Sequence, residues 1–156
     1  MRQLSLFTMV MLLVGLSGCS TIGKLLWGEK TAKLQHLKVV ALPNANQGQA
    51  TELDLVFIYA SDIAKTLPGD APTWFKQRSA IQAKYAGDLD VVSLEVPAGF
   101  VVQSVKLPAR HADALQVQAY ANYVAAAGQY PLVLTRLKDV VLTLQEDKFV
   151  FSAGDQ

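Results

Sequence analysis

From Leu34 onward the apolar residues recur mostly at every second position, and this period constrains the fold more than any other feature of the chain. A period of two places alternate side chains on opposite faces of a strand, whereas a helix needs spacings of three and four. Leu34 to Leu42 reads as a first strand, stopped by Pro43. Leu53, Leu55, Phe57 and Tyr59 alternate with Asp54, Val56 and Ile58. Both faces of that run are mostly apolar, which predicts a strand at the centre of a sheet. Leu89 to Val96 and Phe100 to Leu107 read as two more, divided by Pro97-Ala98-Gly99 and closed by Pro108. Leu115, Val117, Ala119, Ala121 and Tyr123 alternate with polar or aromatic residues. The alanines there suit a helix, but the Leu-Gln-Val-Gln alternation decides for strand. Leu132 and Leu134 share one face of the next strand. Val140, Leu142 and Leu144 point inward in a strand joined to Lys148–Phe151 by a two-residue turn at Glu146-Asp147.

Residues 71–86 break the pattern. Asp70 can cap a helix, Pro72 suits its first turn, and Gly87-Asp88 ends it. Trp74, Ile81 and Tyr85 then fall near one face. The expectation is a mostly β fold, a two-sheet β-sandwich of about 7–8 strands with one short helical insertion.

The first residues are of a different kind. Met1-Arg2 carries positive charge, and Leu4 to Leu16 is an uncharged apolar run. That run is shorter than the roughly 20 residues needed to cross a bilayer, so it reads as a secretory signal. Leu16-Ser17-Gly18-Cys19 resembles the lipobox of bacterial lipoproteins. The resemblance implies cleavage before Cys19, a diacylglycerol on its thiol and an N-acyl chain on its new amino terminus. The expected organisation is a signal peptide over 1–18, a lipidated tether over 19–33 and a β-sandwich domain over 34–156. Ile22, Leu25, Leu26 and Trp27 could form a helical turn near the membrane, and packing of the tether on the domain is the open alternative. Position 20 is Ser, where lipoproteins retained at the inner membrane often carry Asp. The implied destination is the periplasmic face of the outer membrane. Cys19 is the only cysteine, so no disulfide can form within the chain.

Removing the signal takes away Arg2 and no acid, which leaves thirteen basic and thirteen acidic residues. Nothing in that balance suggests a nucleic-acid partner or a polybasic membrane patch. The search for chemistry is equally bare. There is no CxxC, HExxH, GxSxG, P-loop or GxGxxG. His36 and His111 are far apart in the chain and too few for a zinc site. His111, Asp113 and Ser104 could form an acid–base group, but they read as exposed loop residues. Gly87, Asp88 and Asp90 supply too few oxygen ligands for a calcium loop. Trp74 and Phe75 could anchor a partner, and more simply they roof the core. No metal, no catalytic residue and no cofactor beyond the covalent lipid is expected, and the chain is read as a non-enzyme.

A run of stretches in order then resembles one family. These are the lipobox, Leu42-Pro43-Asn44-Ala45-Asn46-Gln47-Gly48-Gln49-Ala50, Leu55-Val56-Phe57-Ile58-Tyr59-Ala60, Trp74-Phe75, Val96-Pro97-Ala98-Gly99 and Ala119-Tyr120-Ala121-Asn122-Tyr123. Together they are similar to TssJ, the outer-membrane lipoprotein family of the type VI secretion system. The chain departs from that family at Tyr59-Ala60-Ser61, often Tyr-Gln-Leu there, and lacks a late Trp-Arg pair. The resemblance implies a transthyretin-like sandwich that docks the periplasmic part of the inner-membrane protein TssM. It also implies that the first inter-strand loop takes part in the contact, which maps onto Asn44, Asn46, Gln47 and Gly48. The alternative is a periplasmic small-ligand-binding or accessory envelope lipoprotein, with an apolar pocket between the sheets.

Overall fold

The alternation resolves into two four-stranded sheets in a computed structural model that describes residues 31–126 and 129–154. The signal, Cys19 and the tether up to residue 30 lie outside the described residues. One sheet has the order β4 (Val101–Val102), β1 (His36–Ala41), β7 (Asp139–Leu144), β8 (Phe149–Ala153). The other has the order β3 (Leu89–Val96), β2 (Thr51–Ile58), β5 (Gln116–Asn122), β6 (Leu132–Val133). The fold class expected from the period of two is therefore the one observed. β1 and β7 run parallel, His36 opposite Asp139, and every other pairing is antiparallel.

β2 lies between β3 and β5 from Glu52 to Ile58, which explains its two apolar faces. Leu53, Leu55 and Phe57 point into the sandwich against Leu37, Val39, Leu142 and Leu144. Val56 and Ile58 point the other way, into a second, smaller core beneath the helix α1 (Ala71–Lys84). Asp70 caps that helix, its Oδ1 accepting from the Thr73 N–H at 2.8 Å. Trp74 is fully buried and stacks on Tyr120, ring centroids 4.8 Å apart and planes within 13°. It roofs this second core, and Phe75 packs half-buried beside it.

The sequence pattern assigns Asp54 only a place in the alternation, yet the structure buries it completely. Its Oδ2 accepts from Trp74 Nε1 at 2.8 Å and lies 3.4 Å from Arg78 Nη1. Its Oδ1 has no partner among the described residues. A buried carboxylate is tolerated when it is paired and hydrogen-bonded, so Trp74 and Arg78 lock the helix to the sheet through this one group.

One expected strand is much shorter than the sequence implies. Phe100 to Leu107 contributes only Val101–Val102 to a ladder. Beyond it the Val105 N–H still bonds to Leu37 O at 2.9 Å, but the chain turns off across the end of the sandwich toward Pro108. Proline has no N–H with which to continue a ladder. The hairpin at Glu146-Asp147 forms as expected, with Leu144 opposite Phe149 and Gln145 N–H bonded to Lys148 O.

Strand directions give the sandwich two poles. The connections 42–50, 97–100 and 145–148 gather at one, with residues 123–126 and 129–131. The other holds 103–115, 134–138 and the first described residues, where Lys33 N–H bonds to Thr135 O at 2.9 Å and Ala32 N–H to Ala114 O. Ala32 is already buried in the main core, so the chain is held to the sandwich before β1 begins. No helix among the described residues is long and apolar enough to cross a membrane.

Candidate docking surface

Three consecutive residues of the first inter-strand loop, Asn46, Gln47 and Gly48, have φ of 48°, 57° and 82°. Left-handed backbone is costly for most side chains, while Asn and Gly adopt it readily. The polar, turn-forming composition of residues 43–49 therefore has a conformational basis. Asn46 is the centre of the loop and only 3% exposed. Its Nδ2 donates to Ala50 O at 2.9 Å, and its Oδ1 accepts from Val124 N–H at 2.7 Å. Its own N–H donates to Gln145 O at 3.0 Å. One side chain and its backbone thus tie together three of the segments at this pole.

The other three candidate contact residues face outward. Asn44, Gln47 and Gly48 are exposed. Asn44 Nδ2 lies 3.3 Å from Glu146 Oε2 in the β7–β8 turn. The structure brings the four sequence-derived residues together on one loop, with Asn46 holding its shape and the others presenting it.

Sequence reasoning misses the apolar part of this pole. Phe100 is 63% exposed and Val124 52% exposed, and Leu42 and Val101 are also open to solvent. The alternation places Phe100 inside a strand. It sits instead in the turn after Gly99, where Phe100 O accepts from Ala41 N–H and Gly99 N–H donates to Leu42 O. Val124 follows β5 and is placed against the first loop by its bond to Asn46. An apolar residue directly after Pro97-Ala98-Gly99 is the signal that could have found it. Exposed apolar side chains amid polar loop groups are what a protein-binding end offers.

The opposite pole holds the histidines and the residues weighed above for acid–base or calcium chemistry. His111 Nδ1 is 2.9 Å from Pro108 O. Ser104 lines an open depression of about 540 Å³ with His36, Lys38, Gln103 and Asp139. The sequence-derived group of His111, Asp113 and Ser104 is thus not assembled around one cavity. His36 Nδ1 instead meets Asp139 Oδ1 at 2.6 Å, the pair set opposite one another by the parallel register of β1 and β7. Asp90 is not a cation ligand: Arg110 holds it at both oxygens, 2.9 and 3.1 Å away, and lies over the Tyr59 ring at 3.8 Å. Tyr59 O–H donates to the same carboxylate at 2.8 Å. No cluster of three or more His, Cys, Asp or Glu occurs among the described residues.

Hydrogen bonds from Arg110 hold the Asp90 carboxyl below its ordinary range, and burial with the adjacent Asp90 raises the Tyr59 phenol well above its own. A carboxyl whose pKa is depressed on folding stabilises the native state above its unfolded pKa, about 3.9, and loses that contribution as pH falls through the lower native value. Asp90→Asn is therefore expected to lower the urea midpoint at neutral pH and to converge on the wild type in acid. Unfolding curves across pH 2–7 check this, and a constant difference between the two proteins would remove the ion pair as its cause.

The alternative reading needs an apolar pocket. The nearest feature is a groove of about 370 Å³ along the open β6–β8 side, lined by Val133, Leu137, Phe151, Gln116, Thr135 and Arg136. It opens at the edge of the sandwich, while the inner faces of the sheets are filled by each other's side chains.

No protein family and no curated protein matches the sequence. The fold does match solved structures. The type VI secretion lipoprotein TssJ1 from Pseudomonas aeruginosa is 16% identical, with TM-score 0.54, over 78% of this chain and 95% of that one. A chain of a type VI membrane complex is 14% identical, with TM-score 0.53, over 78% and 98%. A chain of the structure of the type VI secretion protein TssM C-terminal domain (869–1107) from EAEC is 14% identical, with TM-score 0.52, over 76% and 97%. At these identities the likeness is one of fold, and it spans almost the whole of each neighbour.

Proposed function

We propose that this chain is a TssJ-like lipoprotein, anchored in the outer membrane through Cys19, that acts as a structural subunit of a type VI secretion membrane complex. In this reading it faces the periplasm and docks the periplasmic part of a TssM-like inner-membrane protein. It binds and does not catalyse. The observation that carries the reading is the fold match to type VI secretion structures over 95% or more of each neighbour, in a chain whose Cys19 stands in a lipobox-like tetrapeptide.

The mechanism is physical. Each buried CH₂ of an acyl chain contributes about 0.8 kcal/mol, and two or more chains hold a protein stably at a bilayer. The chain enters the sandwich at one pole, and Asn44, Gln47, Gly48, Phe100 and Val124 lie at the other. Anchoring confines these groups to a thin layer of periplasm and raises their effective concentration toward a partner rooted in the other membrane. A modest interface then suffices.

The test is in-cell crosslinking of the full chain, expressed with its signal beside the secretion genes, followed by mass spectrometry of what co-purifies. A TssM-like inner-membrane protein is expected, together with loss of outer-membrane fractionation in Cys19→Ser. Recovery of outer-membrane background alone would discard the scaffold reading. The groove at the β6–β8 side would then become the place to look for a small apolar ligand.

A further inference from the structure

The mature chain's balanced charge conceals an uneven distribution. Lys33, Lys106, Arg136 and Lys138 come from three separate segments, and the fold brings them to the pole where the chain enters the sandwich. Lys33 N–H bonds to Thr135 O beside Arg136, and Gln35 N–H bonds to Lys138 O. Lys106 follows Val105, whose N–H bonds to Leu37 O at the start of β1. All four side chains are exposed, and none makes an ion pair among the described residues. The acids nearby are largely engaged: Asp139 with His36, and Asp90 with Arg110. Asp62, Asp88 and Asp113 are the acids left exposed toward that end. The opposite pole carries Glu95, Glu146 and Asp147 against Lys148, so the charges are segregated along the strands. Beside Arg136 lies the apolar groove of Val133, Leu137 and Phe151.

We infer that this basic pole is a seat for anionic phospholipid headgroups, which holds the sandwich against the bilayer with its loop pole facing away. The inference builds on the anchored reading above. Roughly a dozen residues separate Cys19 from Thr31, a reach of up to about 40 Å when extended. A lipid at Cys19 fixes one point of the chain to the bilayer and by itself specifies no orientation of the sandwich. Clustered Lys and Arg near an anionic surface are attracted over about one Debye length, roughly 8 Å at physiological salt. A cationic rim beside an apolar groove is the combination that an interfacial lipid layer complements. Lipidation thus sets the distance from the membrane, and the basic pole sets the orientation.

The experiment reconstitutes the mature lipidated protein into vesicles of phosphatidylcholine alone and of phosphatidylcholine with phosphatidylglycerol. Amine acylation is then read lysine by lysine by mass spectrometry. Lys33, Lys106 and Lys138 are expected to react about fivefold more slowly, or slower still, on the anionic vesicles. Lys148, at the other pole, is the internal control and stays unchanged. High salt should abolish the protection, and Arg136→Glu with Lys138→Glu should abolish it at Lys33 and Lys106. Equal labelling on both vesicles overturns the inference. So does protection that appears only on adding a partner protein, which would make the pole a protein contact. Flotation separates this from the anchor reading. A chain without lipid on Cys19 fails to float with phosphatidylcholine, and the pole then shows itself as flotation with phosphatidylglycerol vesicles alone.

Discussion

Trp74→Ala is expected to lower stability by about 3–5 kcal/mol, the range for removing a large buried aromatic side chain. For a domain of this size that is a fall in Tm of about 10–20 °C. Two losses combine. The indole fills the space between α1 and β5, fully buried and stacked on Tyr120. Its Nε1–H is also the closest donor to the buried Asp54 carboxylate, at 2.8 Å against 3.4 Å for Arg78. Without it, a buried charge keeps one longer bond while Oδ1 already lacks a partner. Trp74→Phe separates the two contributions. It keeps an aromatic ring against Tyr120 while dropping the donor and only part of the buried volume, so it should cost less than alanine, about 1–3 kcal/mol. Calorimetry and urea unfolding of both variants check the pair. A Trp74→Ala loss below about 1 kcal/mol would mean that the helix is not held by this residue.

Asn46→Ala carries the second large effect, on stability and on partner binding together. Ala loses the donor to Ala50 O and the acceptor for Val124 N–H, and must adopt φ 48° without the local polar bonds that make Asn tolerant there. The expected cost is about 2–4 kcal/mol. The loop then loses its link to the end of β5 and its shape, so affinity for the proposed TssM-like partner should drop with it. Gln47→Gly is the contrast. Position 47 is exposed with φ 57°, a conformation Gly adopts without strain, so stability should be unchanged or slightly higher. Any loss of partner affinity in Gln47→Gly then reports a lost contact. Denaturation midpoints and binding titrations of the two variants sort the roles. Unchanged binding in both would take the first loop out of the docking surface.

Much of the sandwich is legible because each strand is short and covered on at least one face. A period of two survives wherever one face meets the core, as in Val140, Leu142 and Leu144. Burial of both faces leaves its own mark in β2, whose continuous apolar run is that of a strand at the centre of a sheet. The helix is legible from its cap and its proline. The segment from Phe100 to Leu107 misleads because Val105 and Leu107 alternate with Ser104 and Lys106 while packing at the end of the core, not along a neighbouring strand. Burial of alternate side chains does not require a ladder.

The first inter-strand loop shows the same division. Residues 43–49 are legible as a turn-forming loop, since the run of Asn and Gly by itself points to left-handed backbone. That Asn46 points inward while Asn44 and Gln47 point outward is not, because the partners that bury it come from Gln145 and Val124, about a hundred and about eighty residues away. The burial of Asp54 is hidden for the same reason, its donors lying twenty and twenty-four residues on, in the helix.

The amino-acid sequence by itself determined the mostly β class and the α-helix over Ala71–Lys84, and it carries the lipobox-like tetrapeptide and no known catalytic motif. All of these depend on residues near one another in the chain. Only the tertiary structure decided which strands share a sheet, the parallel partnership of β1 and β7, the apolar rim of Phe100 and Val124, and the separation of basic and acidic poles. Each of these depends on distant segments meeting in space, which an alternating pattern permits in many arrangements and only packing selects.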